Sequence, residues 1–158
     1  MDIAAEISAH FADEWLPKIY KEKIRSQRTR AYQLDVPARE NQADIQYTLL
    51  GIELKVGKRR FACPDLATAR YLRVFARLGC REFAVPYDIT QISPAADNLE
   101  TSWQRTLLHL NESTRHRPPR SVSQSRSKLI RTIRQKLEEI GAGDVMPLFN
   151  TATRQREG

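Results

Sequence analysis

The sequence predicts a small α/β or α+β domain. Its core would be a small mixed sheet of about four strands, in helix–strand–strand–strand–helix–strand order, with further helices at the C-terminus. Three observations carry this. Apolar residues recur at helical spacing near both ends of the chain. Alternating apolar runs bracket the dipeptide Gly57-Lys58. From residue 59 to residue 85 a strand pattern, a helix pattern and a second strand pattern follow one another with short links. The expected organisation is a domain over 1–112, a basic flexible linker over 113–126, and an amphipathic helix and tail over 127–158.

The elements are justified in turn. Ile3, Ile7, Phe11 and Trp15 fall on one helical stripe. Pro17 ends or kinks that helix, and Ile19, Tyr20 and Ile24 suit a second short turn. Tyr32, Leu34 and Val36 alternate with Gln33 and Asp35, a strand stopped by Pro37. After a polar loop, apolar residues sit on odd positions (Ile45, Tyr47, Leu49) and then on even ones (Ile52, Leu54, Val56). One face cannot stay buried through that slip, so the chain must turn or bulge at Leu50-Gly51. A two-residue turn at Gly57-Lys58 pairs Val56 with Arg59, Leu54 with Phe61 and Ile52 with Cys63. The core face is then Ile52, Leu54, Phe61 and Cys63; Glu53, Lys55 and Arg60 point the other way.

Asp65 is a natural cap for a helix with Leu66, Ala69, Leu72, Phe75 and Leu78 inward, and Gly79 is its stop. Residues 80–85 read as a strand closed by Pro86. A right-handed crossover would set strands 59–63 and 81–85 parallel. Cys63 and Cys80 would then lie at opposite ends of the sheet, as free, buried thiols. Ser93-Pro94 starts a helix carrying Leu99, Trp103, Leu107 and Leu110 to about Asn111. The Ser/Arg/Pro-rich stretch that follows reads as linker. Ser127 caps a last helix with Ile130, Ile133, Leu137 and Ile140, ended by Gly141. Its first turns hold Lys128, Arg131 and Arg134 and its last turn Glu138 and Glu139, against the macrodipole at ~0.3–1 kcal/mol per charge. Val145, Met146, Leu148 and Phe149 form a small apolar cluster suited to docking on the body.

Charge narrows the function. The chain has 26 Lys+Arg against 19 Asp+Glu, but residues 1–112 carry a net of only +1 and residues 113–158 carry +6. Between Ser113 and Leu137 lie Arg115, Arg117, Arg120, Arg126, Lys128, Arg131, Arg134 and Lys136, with no acid. Such a block calls for a polyanion, and nucleic acid is the commonest one. Arg70, Arg73 and Arg77 recur on one helix face, and Lys55, Lys58, Arg59 and Arg60 flank the hairpin. Tyr20, Tyr32 and Tyr87 are candidate stacking groups. Tyr87 and Asp88, with Asp65, would sit at the carboxyl ends of the parallel strands, where α/β folds place ligands.

Other chemistry is thinly represented. No apolar run reaches membrane-span length, and the first residues, MDIAAEISAHFADEW, lack the pattern of a secretory leader. Two cysteines make neither a disulfide framework nor a zinc site, and His10, His109 and His116 have no metal spacing. No phosphate loop, dinucleotide fingerprint, nucleophile elbow or known DNA- or RNA-binding motif is present. A soluble, cytoplasmic protein is expected, with no membrane partner. The last helix, 127–140, offers a further reading: a non-catalytic assembly factor docking in a partner groove or on a second copy of the chain.

Over residues 3–86 the element order, with Asp44 followed by Glu53-Leu54-Lys55, resembles the core of the PD-(D/E)xK nuclease superfamily. The resemblance implies a DNA endonuclease in which Asp44 and Glu53 hold Mg²⁺, Lys55 acts on the attacking water, and Glu6 is an accessory acid. Ala43 stands where the usual proline would be. A turn at Leu50-Gly51 would set Glu53 opposite Thr48, leaving Asp44 four residues further along, about 13 Å at the strand rise. The leading expectation is therefore nucleic-acid binding, with this nuclease as its enzymatic alternative.

Overall fold

A computed structural model of the chain describes residues 2–143. The apolar cluster expected at Val145–Phe149 lies outside them. Asp2 caps α1 (Ile3–Phe11), its carboxylate accepting from the Ala4 amide at 3.0 Å. The helix stops at Ala12, whose φ is 52°, so a 3₁₀ turn (Ala12–Glu14) intervenes before Trp15. α2 (Leu16–Ile19) carries Pro17 in its first turn and widens into a π turn, Tyr20–Ile24. Beyond it the elements are β1 (Thr29–Gln33), β2 (Ala43–Thr48), β3 (Gly51–Val56), β4 (Arg59–Cys63), α3 (Leu66–Leu78), β5 (Glu82–Pro86), α4 (Ile92–Ser113) and α5 (Pro119–Ile140).

The class is α+β, with two small antiparallel sheets, β1–β5 and β2–β3–β4, in place of the one mixed sheet expected. The parallel pairing of residues 59–63 with 81–85 does not occur. The crossover rule fixes a hand only for strands that share a sheet; here β5 pairs antiparallel with β1, from Thr29 opposite Pro86 to Gln33 opposite Glu82. The second hairpin matches expectation: Val56 faces Arg59, Leu54 faces Phe61 and Ile52 faces Cys63. The phase slip resolves as a turn one residue earlier than expected, over Leu49-Leu50, with Thr48 opposite Gly51. The Thr48 hydroxyl holds that turn, accepting from the Leu50 amide and donating to the Gly51 carbonyl, each at 3.1 Å.

α3 packs on all three strands of the larger sheet and on α4. Asp65 caps its start, accepting from the Thr68 amide at 2.7 Å. Its other end is closed by distant segments. Asn41 donates from its amide to the Arg77 carbonyl (3.2 Å) and from Nδ2 to the Ala76 carbonyl (3.0 Å). Arg134 of α5 donates to the Leu78 carbonyl at 2.8 Å. Carbonyls at a helix C-terminus need such partners, and a cation there also suits the macrodipole. Gly79 has φ 76°, and a Cβ on it would fall 2.8 Å from the Arg39 carbonyl carbon and closer still to that residue's nitrogen and oxygen.

The last helix begins at Pro119, so most of the expected linker is helical and only 114–118 joins α4 to α5. Pro119 at the first helical position accounts for the earlier start. Lys128, Arg131 and Arg134 are then mid-helix, clear of the positive dipole end. Leu129, Ile130, Ile133 and Leu137 are buried, and α5 packs on α1, α2, α3 and β5. The stripe proposed for a partner groove or a second copy is thus filled by its own chain. Likewise α4 starts at Ile92 and ends at Ser113, two residues beyond each expected limit.

Tyr20 ties three elements together. Its hydroxyl donates to the Gly141 carbonyl and accepts from the Ala84 amide, both at 2.8 Å. Cys63 and Cys80 are free and buried, as expected. Burial pushes the Tyr20 phenol from 10.0 and the Cys80 thiol from 9.0 up to about 12. The fold therefore favours their neutral forms. The associated stability is complete below the unfolded-state values and is lost as pH climbs towards the folded ones. The urea midpoint should fall steadily between pH 9 and pH 12; a flat midpoint there would contradict the burial of both groups.

Candidate nucleic-acid interface

The cations fall into two groups, those consumed internally and those left open. On α3, Arg70 donates to Glu100 through Nε (3.2 Å) and Nη2 (2.8 Å) and also pairs with Asp97. Arg73 meets the other Glu100 oxygen at 2.9 Å. These two guanidinia are the polar seam between α3 and α4. Arg77, the third member of the row, is half-buried and donates to the Ala43 carbonyl at 3.0 Å. Burial, then the Arg73 charge, hold its guanidinium below its ordinary pKa.

Around α5 the balance differs. Arg126 makes a two-pronged pair with Glu40, at 2.8 and 2.5 Å. Arg115 pairs with Glu112 at 3.0 Å, and Arg117 donates to the Ser125 hydroxyl at 2.9 Å. Arg120, Lys128, Arg131 and Lys136 make no ion pair among the described residues. Arg131 and Arg134 line a hollow with Arg39, and Arg39, Lys58 and Arg59 line another across the same loop. Arg59 is paired with Asp35, whereas Arg39 and Lys58 have no acid partner among the described residues. Of the open cations, Arg39, Lys58 and Arg131 line hollows beside the 37–42 loop that also closes α3.

The register brings the nuclease-like residues closer than expected. Because the turn falls one residue early, Asp44 lies directly opposite Lys55 and Glu53 lies opposite Gln46. Asp44 and Glu53 become diagonal neighbours on one face, about 7–8 Å apart instead of about 13 Å. Two carboxylates on adjacent strands suit one Mg²⁺, which commonly keeps waters and substrate oxygens as its other ligands. Glu53 is paired with Arg60 at 3.2 Å, a contact a metal would have to displace. Glu6 does not join them: it lies on α1, which packs against α4 and α5. Among the described residues no three His, Cys, Asp or Glu side chains group to hold a metal.

Other candidates have structural employment. Tyr20 is buried, Tyr32 leans on Phe83 with ring centroids 5.7 Å apart, and only Tyr87 is open, with Arg28 stacked 4.5 Å from its ring. Asp88 caps a short 3₁₀ turn, accepting from the Thr90 amide and hydroxyl. With β5 antiparallel to β1, the ligand position expected at Tyr87 and Asp88 loses its basis. His10 and His109 stack at 4.4 Å between α1 and α4.

Sequence reasoning missed a cleft of about 530 Å³ between the start of β2 and α3, α4 and α5. Asp44, Arg77 and Arg126 line it beside Trp103, Gln104 and Leu107. No sequence spacing links residues from four separate elements; the one available hint was that Arg77 had no nearby acid in sequence. No helix among the described residues is long and apolar enough to cross a membrane. No family model, curated protein or solved structure matches the chain.

Proposed function

We propose that the chain binds nucleic acid through the exposed face of α5 and the 37–42 loop beside it. One observation carries the reading: Arg120, Lys128 and Arg131 on α5, with Arg39 and Lys58, make no ion pair among the described residues. Arg120 and Arg131 are about 16 Å apart along the helix at 1.5 Å per residue, a span suited to several phosphates of a polymer. Phosphate contacts of this kind give affinity and register without sequence selectivity.

The test is binding to duplex and single-stranded oligonucleotides as a function of salt. In duplex DNA each lost phosphate contact lowers the slope of log K against log salt by about 0.9. Lys128→Glu with Arg131→Glu should reduce it by about 2 and weaken binding at low salt. Unchanged slope and affinity would remove α5 from the interface.

A second reading, phosphodiester cleavage, is favoured by Asp44 lying opposite Lys55 and diagonal to Glu53. A bound Mg²⁺ would supply an activated water between the carboxylates; Lys55, beside Asp44, would steady the anion that attack creates. Incubation of DNA with Mg²⁺ should then give cleavage by the wild type and at least a hundredfold less by Glu53→Ala. Equal rates in both would discard this site.

A further inference from the structure

We infer that the cleft between β2, α3, α4 and α5 is a nucleotide pocket, holding one base and its phosphate. This deepens the nucleic-acid reading and rests on it for the choice of ligand. The cleft's volume, about 530 Å³, is in the range that holds small organic ligands. Its wall is mixed in the way a nucleotide requires. Leu107 and the edge of the largely buried Trp103 supply apolar surface, Gln42 and Gln104 supply amide donors and acceptors, and Asp44, with Glu40 already engaged by Arg126, supplies an acceptor for base amino groups.

Arg77 is the anchor for the phosphate. It is half-buried, and the one hydrogen bond its guanidinium makes among the described residues is to the Ala43 carbonyl. Its neighbours on the same face, Arg70 and Arg73, are both met by Glu100, and Arg126 across the cleft is met by Glu40. Arg77 alone of these four has no ion pair among the described residues. A guanidinium carries five donors, and one partly withdrawn from water gains most from an incoming anion. Asp44 is near enough to act on Arg77 electrostatically but makes no ion pair with it. The same carboxylate disfavours a bare phosphate and favours a ligand that brings donors as well as charge. Arg126 belongs to α5, so the pocket opens beside the helix that would track the backbone.

The experiment uses the full chain with adenosine, guanosine, cytidine and uridine monophosphates, ribose 5-phosphate and inorganic phosphate. Calorimetry reads affinity, and the ¹H–¹⁵N signal of the Trp103 indole reports location. At least one mononucleotide should bind, shift that signal and outcompete ribose 5-phosphate. Arg77→Met should weaken it tenfold or more and Gln104→Ala severalfold. If Arg77→Met fails to fold, Gln104→Ala carries the comparison. Absence of mononucleotide binding, or binding that inorganic phosphate matches, overturns the pocket even where oligonucleotides bind with a steep salt slope. Mononucleotide binding with no oligonucleotide binding keeps the pocket, assigns it a free nucleotide, and overturns the polymer reading instead.

Discussion

Gly79→Ala should cost the fold about 3 kcal/mol or more. The left-handed backbone at φ 76° costs a residue with a Cβ roughly 1–2 kcal/mol. The rest comes from the Arg39 backbone, which occupies the place the Cβ needs. Moving that backbone strains the Asn41 bonds to the Ala76 and Arg77 carbonyls, each worth about 1 kcal/mol. Urea denaturation gives the number directly. A loss below about 1 kcal/mol would mean that the loop yields freely and does not close the helix.

Glu100→Ala should be nearly as damaging, at about 2–3 kcal/mol. Removing one partner from a buried ion pair typically costs ~3–5 kcal/mol, because the remaining charge stays desolvated. Here the Arg70, Arg73 and Glu100 side chains retain 24%, 24% and 17% of their exposure, which moderates the figure. Arg70 keeps Asp97, but Arg73 is left with no acid, and its Nε is already buried without a partner. Glu100→Ala combined with Arg73→Met should recover part of the loss. If the double variant is no better than the single, the seam is packing and not charge.

Local features were legible in the sequence. Asp65 and Gly79 bound α3 because capping chemistry depends on a few neighbouring residues. The Gly57-Lys58 hairpin has its expected register because turn and alternation agree. Long-range pairing was not legible. Nothing in Glu82–Pro86 says that β1, and not β4, is its neighbour, since both offer alternating strands. The extent of α5 was hidden because the polar residues 119–126 lack an apolar stripe, and the contact that ties them down, Arg126 to Glu40, spans 86 positions. For the site, the cationic character of α5 was readable from composition alone. That Arg70 and Arg73 were spoken for required knowing that α4 lays Glu100 beside them.

The closure of α3 by the 37–41 loop on one side and Arg134 on the other sets an order on synthesis. A nascent chain that has emerged only as far as residue 118 holds the residues of both sheets and the first four helices. It still presents to the ribosome surface and to chaperones the bare flank that Leu129, Ile130, Ile133 and Leu137 later cover. Emergence of α5 is therefore the step that covers this flank, and a ribosome stalled just short of it should hold a sticky, protease-sensitive intermediate.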